Sequence, residues 1–255
     1  MTIAIQALIE KRPHLKDPLE LYAKWERFHR ETAEQLPKTR SDVPAEESRA
    51  YPREIADSIF RLFVSVFGLA DDEIEPLRRA VTNGDIDFMR LPLGELPDLS
   101  LPFREDEAAT LLFLLSRPYF LALRETSAAD GAHWTNGRCP LCSAQPALAT
   151  ITEGPKRRLH CSICGTSGPY RFIGCPNCET TDSTKFNTIV SEDEPGFRII
   201  TCEKCRTYIK VMENPVVKEM GLDLGDMASL PLDIVAQEKG YTRAAPNPIG
   251  LKKMV

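Results

Sequence analysis

Four short turns decide how this chain folds: Cys139-Pro-Leu-Cys142, Cys161-Ser-Ile-Cys164, Cys175-Pro-Asn-Cys178 and Cys202-Glu-Lys-Cys205. All eight cysteines of the 255-residue sequence lie in them, and each belongs to a Cys-x-x-Cys pair. The spacing is that of a duplicated unit. Eighteen residues separate the first two turns, ten join the second to the third, and twenty-three separate the last two. Each repeat is therefore a turn, a hairpin-length β-prone insert and a second turn.

A Cys-x-x-Cys turn presents two sulfurs on one side of a tight backbone knuckle. Two facing knuckles supply four thiolates at tetrahedral corners, the donor set of zinc ribbons and rubredoxin-type iron sites. The first repeat fits the known zinc spacing, and the second is slightly longer. The expected sites are Cys139, Cys142, Cys161 and Cys164 for one metal, and Cys175, Cys178, Cys202 and Cys205 for the other. Four sulfurs accept iron and zinc alike, so the metal stays open. With every position filled by cysteine, metal-centred hydrolysis is not expected.

The residues around the knuckles refine this picture. A glycine after the second cysteine suits the turn, and Gly165 supplies one; Ser143, Glu179 and Arg206 hold the equivalent places. Pro140 and Pro176 stiffen two of the turns. Four thiolates with a divalent ion carry a formal charge of about −2. Lys156, Arg157, Arg158, Arg171, Arg198, Lys204, Arg206 and Lys210 are near in sequence and can offset it. The same set reads alternatively as a docking surface for an acidic partner or a nucleic acid. His160 can pack on the ribbon, replace a ligand or activate the adjacent Cys161. His133 and Trp134 read as local packing.

Working outward, residues 131–172 form the first four-cysteine unit and 173–215 the second. β-prone runs fall at Ala147–Thr152, Arg158–His160, Phe186–Val190, Phe197–Thr201 and Tyr208–Met212. Residues 216–255 read as a C-terminal helix, Asp226–Gly240, and a tail that can cross another surface. Residues 1–130 contain no cysteine and read as a helical domain without chemistry of its own. Asp17-Pro18-Leu19-Glu20 has the pattern of a helix start, with Asp17 as cap. Leu19, Tyr22, Trp25, Phe28 and His29 then share one helical face. Further helices are expected over Arg53–Leu69, Glu73–Val81 and Glu105–Thr126, with Pro118 kinking or breaking the last. The proline-bearing stretch Leu91–Phe103 reads as a loop. The fold class is thus α+β multidomain, with a helical N-terminal domain, a tandem rubredoxin-like or zinc-ribbon module and a C-terminal helix.

Composition excludes several classes. Hydrophobic residues at 42% and charged residues at 27% argue against a wholly disordered chain. A net charge of −5 argues against a polyanion binder acting through the whole chain. No apolar run approaches the roughly 20 residues needed to cross a bilayer, since Leu111–Leu115 soon meets Arg117 and Pro118. The N-terminal MTIAIQALIEKRPHL lacks the pattern of an export signal, so a cytoplasmic location and metal binding are expected rather than disulfides. No phosphate loop, His-Glu-x-x-His or serine elbow is present, and an enzyme is not expected.

The knuckles, with Leu159-His-Cys-Ser-Ile-Cys-Gly165 and Thr201-Cys-Glu-Lys-Cys-Arg-Thr-Tyr-Ile-Lys210, resemble the FdhE family of formate dehydrogenase accessory proteins. Asp226-Met-Ala-Ser-Leu-Pro-Leu-Asp-Ile-Val-Ala-Gln-Glu-Lys-Gly-Tyr-Thr-Arg243 extends the likeness. The resemblance covers Cys139 to Arg243. It implies a cytoplasmic accessory factor or chaperone that binds the catalytic subunit of formate dehydrogenase and is needed for active enzyme. It also implies two four-cysteine metal sites with iron as the favoured metal. Tyr208, Lys210, Asp233 and Tyr241 match family positions, with fold maintenance as the plain reading of each. Gly168-Pro169-Tyr170 stands where the family often has a tryptophan, which puts a partner contact there in question. Two other functions compete: a zinc-ribbon nucleic-acid-binding or regulatory protein, disfavoured by the acidic balance, and a dithiol oxidoreductase, disfavoured by the lack of a βαβ context. Self-association is also open.

Overall fold

The structure is a computed structural model and describes residues 3–36, 49–70, 72–99, 101–152 and 156–254. Among the described residues, five α-helices precede the cysteine region: α1 (Ile3–Lys11), α2 (Lys16–Ala33), α3 (Arg53–Phe67), α4 (Glu75–Asn83) and α5 (Glu105–Glu125). Seven strands and two helices follow: β1 (Leu148–Thr152), β2 (Lys156–His160), β3 (Ser167–Tyr170), β4 (Phe186–Ile189), β5 (Phe197–Cys202), β6 (Thr207–Glu213), α6 (Asn214–Ala228), α7 (Leu230–Glu238) and β7 (Thr242–Arg243). The mixed α/β class expected from the sequence is what the chain adopts. Ser100 of the proline-bearing stretch and the first two residues of the chain lie outside the described residues.

In α3, Ala56, Ile59, Phe60, Phe63 and Val66 are buried at helical spacing, and Gly68 closes the helix in the left-handed region at φ 69°. Two expectations need correcting here. Asp17 is not the cap of α2. A 3-10 turn over Pro13–Leu15 runs directly into the helix, so Leu15 takes the cap position and Asp17 sits within the first turn. There its negative charge still faces the helix N-terminus favourably. Pro118 does not break α5, which runs continuously past it. Packing overrides propensity there: Pro118 and its neighbours are buried, and the Tyr51 hydroxyl donates to the Leu115 carbonyl at 2.6 Å.

Two further corrections follow, one in the C-terminal half and one in the N-terminal half. The single C-terminal helix is two helices, α6 and α7, meeting at Ser229, and α6 is kinked at Gly221, where φ is 76° and ψ 178°. Gly240 follows α7 with φ 80°, the left-handed stop its position suggested. The proline-bearing stretch begins in a 3-10 helix, Phe88–Leu93, capped by the Asp87 side chain through the Met89 amide at 2.9 Å.

The strands form one sheet in the order β3-β2-β1-β6-β5-β4, with β7 also against β6. Within each repeat the strands are antiparallel neighbours. The repeats join where β1 runs parallel to β6, Leu148 opposite Lys210 and Ile151 opposite Glu213. The first strand of one unit thus pairs with the last strand of the other, and both cysteine units share a continuous sheet. Helix α6 packs on β6 and β1, α7 packs on β5, and α2 bridges the N-terminal helices to α6. The main hydrophobic core runs without a break from the helices into the first repeat. A smaller core, including Phe197, Ile199, Tyr208, Met212 and Leu232, lies under α6 and α7. No helix among the described residues is long and apolar enough to cross a membrane.

Candidate metal centres

All four knuckles share one backbone device. The amide of the residue immediately after the second cysteine donates back to the first cysteine's carbonyl: Ser143 to Cys139 at 2.9 Å, Gly165 to Cys161 at 3.0 Å, Glu179 to Cys175 at 2.9 Å and Arg206 to Cys202 at 2.9 Å. Each of these donors is left-handed, with φ of 61°, 72°, 58° and 57°. Ser143, Glu179 and Arg206 are the non-glycine residues with positive φ among the described residues. The knuckle therefore demands this conformation whether or not a glycine is there, at about 1–2 kcal/mol for an ordinary side chain.

These turns bring the sulfurs together in the groups Cys139, Cys142, Cys161, Cys164 and Cys175, Cys178, Cys202, Cys205, each set within 4.8 Å. In the first, Cys139 Sγ lies 3.4 Å from Cys164 Sγ and Cys142 Sγ 3.5 Å from Cys161 Sγ. In the second, Cys175 to Cys205 is 3.6 Å and Cys178 to Cys202 is 3.7 Å. These separations exceed a disulfide bond of about 2.05 Å. They approach the roughly 3.8 Å edge of a tetrahedron with metal–sulfur bonds of about 2.3 Å. The donor set fits a divalent metal in both places, and each cluster can hold one ion.

Electrostatics inside the clusters point the same way. In the first, hydrogen bonds from Cys142, Cys161 and Cys164 hold the Cys139 thiol far below its ordinary value. The bond to Cys139 pushes Cys142 up, and burial pushes Cys161 up. The Cys139 hydrogen bond acts upward on Cys164, but those of Cys142 and Cys161 outweigh it and hold that thiol below its ordinary value; a cation among the four sulfurs would favour ionisation of the raised pair as well. In the second, burial pushes Cys175 up to about 12. Burial also acts upward on Cys205, but hydrogen bonds from Thr207 and Asn177 outweigh it and hold that thiol at about 6.

Several participating residues were not singled out from the sequence. The Thr166 hydroxyl lies 3.2 Å from Cys164 Sγ, and that of Thr207 3.1 Å from Cys205 Sγ. The repeated Cys-x-Thr in Cys164-Gly165-Thr166 and Cys205-Arg206-Thr207 was the available signal. Arg117 and Arg124 reach from α5 to the first cluster, donating to the Ser162 carbonyl at 2.7 Å and the Gly165 carbonyl at 3.1 Å. Trp134 packs over Gly168, where a Cβ would stand 1.9 Å from the Ala132 carbonyl oxygen. Gly168-Pro169-Tyr170 is accordingly the body of edge strand β3, where a proline's missing amide is tolerated.

The basic residues divide into different roles. Lys210 is fully buried in a square of charges with Arg243, Asp226 and Asp233. It lies 2.8 Å from Asp226 and 2.5 Å from Asp233, while Arg243 lies 2.5 Å and 2.8 Å from the same pair. Tyr208 donates to Asp233 at 2.8 Å, so three of the four family-matching residues meet in this one network. The fourth, Tyr241, donates to Glu203, and the Arg206 guanidinium lies 3.9 Å over its ring. Arg198 pairs with Glu213 at 3.7 Å. Arg157 instead lines a cavity beside Cys175 and Cys202, with Gln145, Asn177 and Thr201. Its Nη1 donates to the Gly174 carbonyl at 2.8 Å, and its Nε and Nη2 have no protein partner. Burial draws its pKa down to about 10, partly opposed by Tyr170 and Cys175. His160 is buried with Nε2 2.9 Å from the Thr150 hydroxyl, and burial lowers its pKa to about 4. It stands outside both sulfur groups.

Fold and site together define a mixed α/β protein with two four-cysteine clusters on one sheet. Residues 173–249 match the family model described as FdhE, C-terminal domain. The chain is 30% identical over 147 residues to the Protein FdhE homolog of Aquifex aeolicus (strain VF5), covering 54% of this chain and 51% of that one. It is 31% identical over 114 residues to the Protein FdhE homolog of Proteus mirabilis (strain HI4320), 44% of this chain and 37% of the relative. It is 27% identical over 113 residues to Protein FdhE of Escherichia coli O157:H7 (strain EC4115 / EHEC), 43% and 36% respectively. The chain thus spans about half the length, or less, of these relatives. The crystal structure of the FdhE protein from Pseudomonas aeruginosa has the same fold, with a TM-score of 0.64 at 21% identity over 96% of this chain and 92% of that one. The resemblance to the FdhE family read from the knuckles is thereby shown: residues 173–249 match its C-terminal domain, and the chain is similar to FdhE proteins in sequence and in fold.

Proposed function

We propose that the eight cysteines hold two metal ions, one per repeat, and that the chain is a non-enzymatic accessory factor for formate dehydrogenase. In this reading it acts in the cytoplasm as a chaperone that binds the catalytic subunit and is needed for assembly of active enzyme. The observation that carries the reading is the pair of four-sulfur clusters, the second of which lies within residues 173–249 that match the FdhE C-terminal domain. Bound iron or zinc would supply cross-linking of each repeat, and the family resemblance favours iron. The chain's own residues would hold the ions through eight sulfurs, shape each knuckle with a left-handed residue, and bind the Cys161–Cys164 turn from α5. Small β-units of this size bury too little apolar surface to be stable alone, and a structural metal can contribute about 10–16 kcal/mol of apparent binding free energy.

The test uses a deletion strain and purified components. Removing the gene should lower formate dehydrogenase activity without removing the enzyme's message, and the purified chain should capture the catalytic subunit. Cys175→Ser should weaken capture more than neutralising the surface cations Lys156, Arg158 and Lys204 together. Full activity in the deletion strain, together with no complex between the purified proteins, would contradict the accessory role.

A further inference from the structure

The duplicated sequence makes two clusters, but the fold does not treat them alike. The cysteines of the first are all buried, with exposures of 2%, 1%, 3% and 0% for Cys139, Cys142, Cys161 and Cys164. All four belong to the main hydrophobic core, continuous with Phe113, Leu114 and Phe120 of α5. No cysteine of the second cluster belongs to either core. Cys175 and Cys202 are buried, whereas Cys178 and Cys205 are partly open to solvent.

The knuckle interiors show the cause. Between Cys161 and Cys164 stand Ser162 and Ile163, both buried, and between Cys202 and Cys205 stand Glu203, half-buried, and Lys204, exposed. Helix α5 lies across the Cys161–Cys164 knuckle: Arg117 and Arg124 donate to the Ser162 and Gly165 carbonyls, and Leu121 would stand 3.2 Å from a Cβ on Gly165. At the second cluster the matching turn residue, Arg206, is exposed and turns to Glu203 and Tyr241 instead.

We propose that the first cluster is a closed clamp fastening the helical layer to the sheet, while the second is an open site whose metal exchanges with soft thiol- or nitrogen-donor ligands from solvent. This rests on the reading that both clusters bind metal. Exchange is ligand substitution without electron transfer. An incoming donor would bond the metal as the bond to Cys205 or Cys178 breaks, and the displaced sulfur would leave as a thiolate. At the first cluster the same attack requires α5 to lift, which exposes the main core, so release there is limited by local unfolding.

The experiment uses the full chain loaded with zinc and an excess of the chromophoric chelator 4-(2-pyridylazo)resorcinol. One zinc per chain should appear at least about tenfold faster than the other. In parallel, iodoacetamide labelling of the unaltered chain, mapped by mass spectrometry, should modify Cys178 and Cys205 before any of Cys139, Cys142, Cys161 or Cys164. Release of both ions at a single rate, or first labelling at the buried four, would overturn the inference. A chain that binds fewer than two zinc ions would instead overturn the reading on which it rests.

Discussion

Arg117 Nε donates to the carbonyl of Ser162 at 2.7 Å, so a helix of the N-terminal half holds the backbone of a cysteine knuckle in the C-terminal half. The same guanidinium grips Asp223 of α6 at 2.8 and 2.7 Å and lies 4.2 Å over the Trp25 ring of α2. One side chain, 1% exposed, thereby joins α2, α5, α6 and the first repeat.

Arg117→Met keeps much of the volume and removes every polar link. It should destabilise the chain by about 2–3 kcal/mol in denaturant unfolding, less than for a fully buried pair because Asp223 reaches solvent. Arg117→Lys should lose a substantial part of this, since an ammonium cannot reproduce the planar fork. Unchanged midpoints in both variants would contradict the joining role.

The charge square makes a second prediction. Lys210→Met leaves three buried charges with a net negative one, at a cost of about 3–5 kcal/mol. The pH dependence has a definite sign. Burial acts to raise the Asp226 pKa, but Arg243 and Lys210 outweigh it and hold it below its ordinary value. A depressed folded pKa gives stability that is present above the unfolded value of about 3.9 and lost as pH falls through the folded one. The natural chain should therefore keep this contribution down to roughly pH 4. Lys210→Met should begin losing stability at higher pH, as read from unfolding midpoints across a pH series.

The knuckle conformation makes a third. Gly165 is left-handed, with Arg124 and Leu121 at 3.1 and 3.2 Å from where a Cβ would stand. Gly165→Ala should cost about 1–2 kcal/mol. Glu179 carries the same φ with an ordinary side chain. Glu179→Gly should be neutral or stabilising by up to about 1 kcal/mol, because strain is relieved against a more flexible unfolded chain. Paired thermal melts of the two variants read the contrast.

Arg157 makes a fourth. Its buried guanidinium beside Cys175 and Cys202 is the cation best placed to offset the second cluster's charge. Arg157→Gln should weaken zinc binding at that cluster by about 10–100-fold and leave the first cluster unchanged, measured by competition with a calibrated chelator. Equal weakening at both would point to a general loss of structure.

What the sequence disclosed follows from locality. Each knuckle is set by four or five adjacent residues, so the cysteine spacing displayed the sulfur groupings, and alternation displayed β1, β2, β4, β5 and β6 to within about two residues. What it concealed depends on distant partners. Ser167-Gly-Pro-Tyr170 looks like a turn until β2 lies beside it and Trp134 fills the space over Gly168. Helix α6 carries Pro215 in its first turn and Gly221 and Gly225 within it, residues of low helix propensity. Gly225 is there for close approach, since a Cβ would stand 2.9 Å from Met212 Sδ of β6. The parallel pairing of β1 with β6 leaves no mark in either strand alone. Arg117 read only as an interruption of an apolar run, and its role needs Ser162, Asp223 and Trp25 brought from three other segments.

The central claim is that each repeat closes one metal site. Metal analysis of the anaerobically purified chain, with X-ray absorption at the metal edge, tests it most directly. The account predicts two ions per chain, each with four sulfur neighbours at about 2.3 Å, falling to one ion in Cys161→Ser and to one in Cys202→Ser. Two-ion content unchanged in both variants, or nitrogen and oxygen neighbours in place of sulfur, would contradict it.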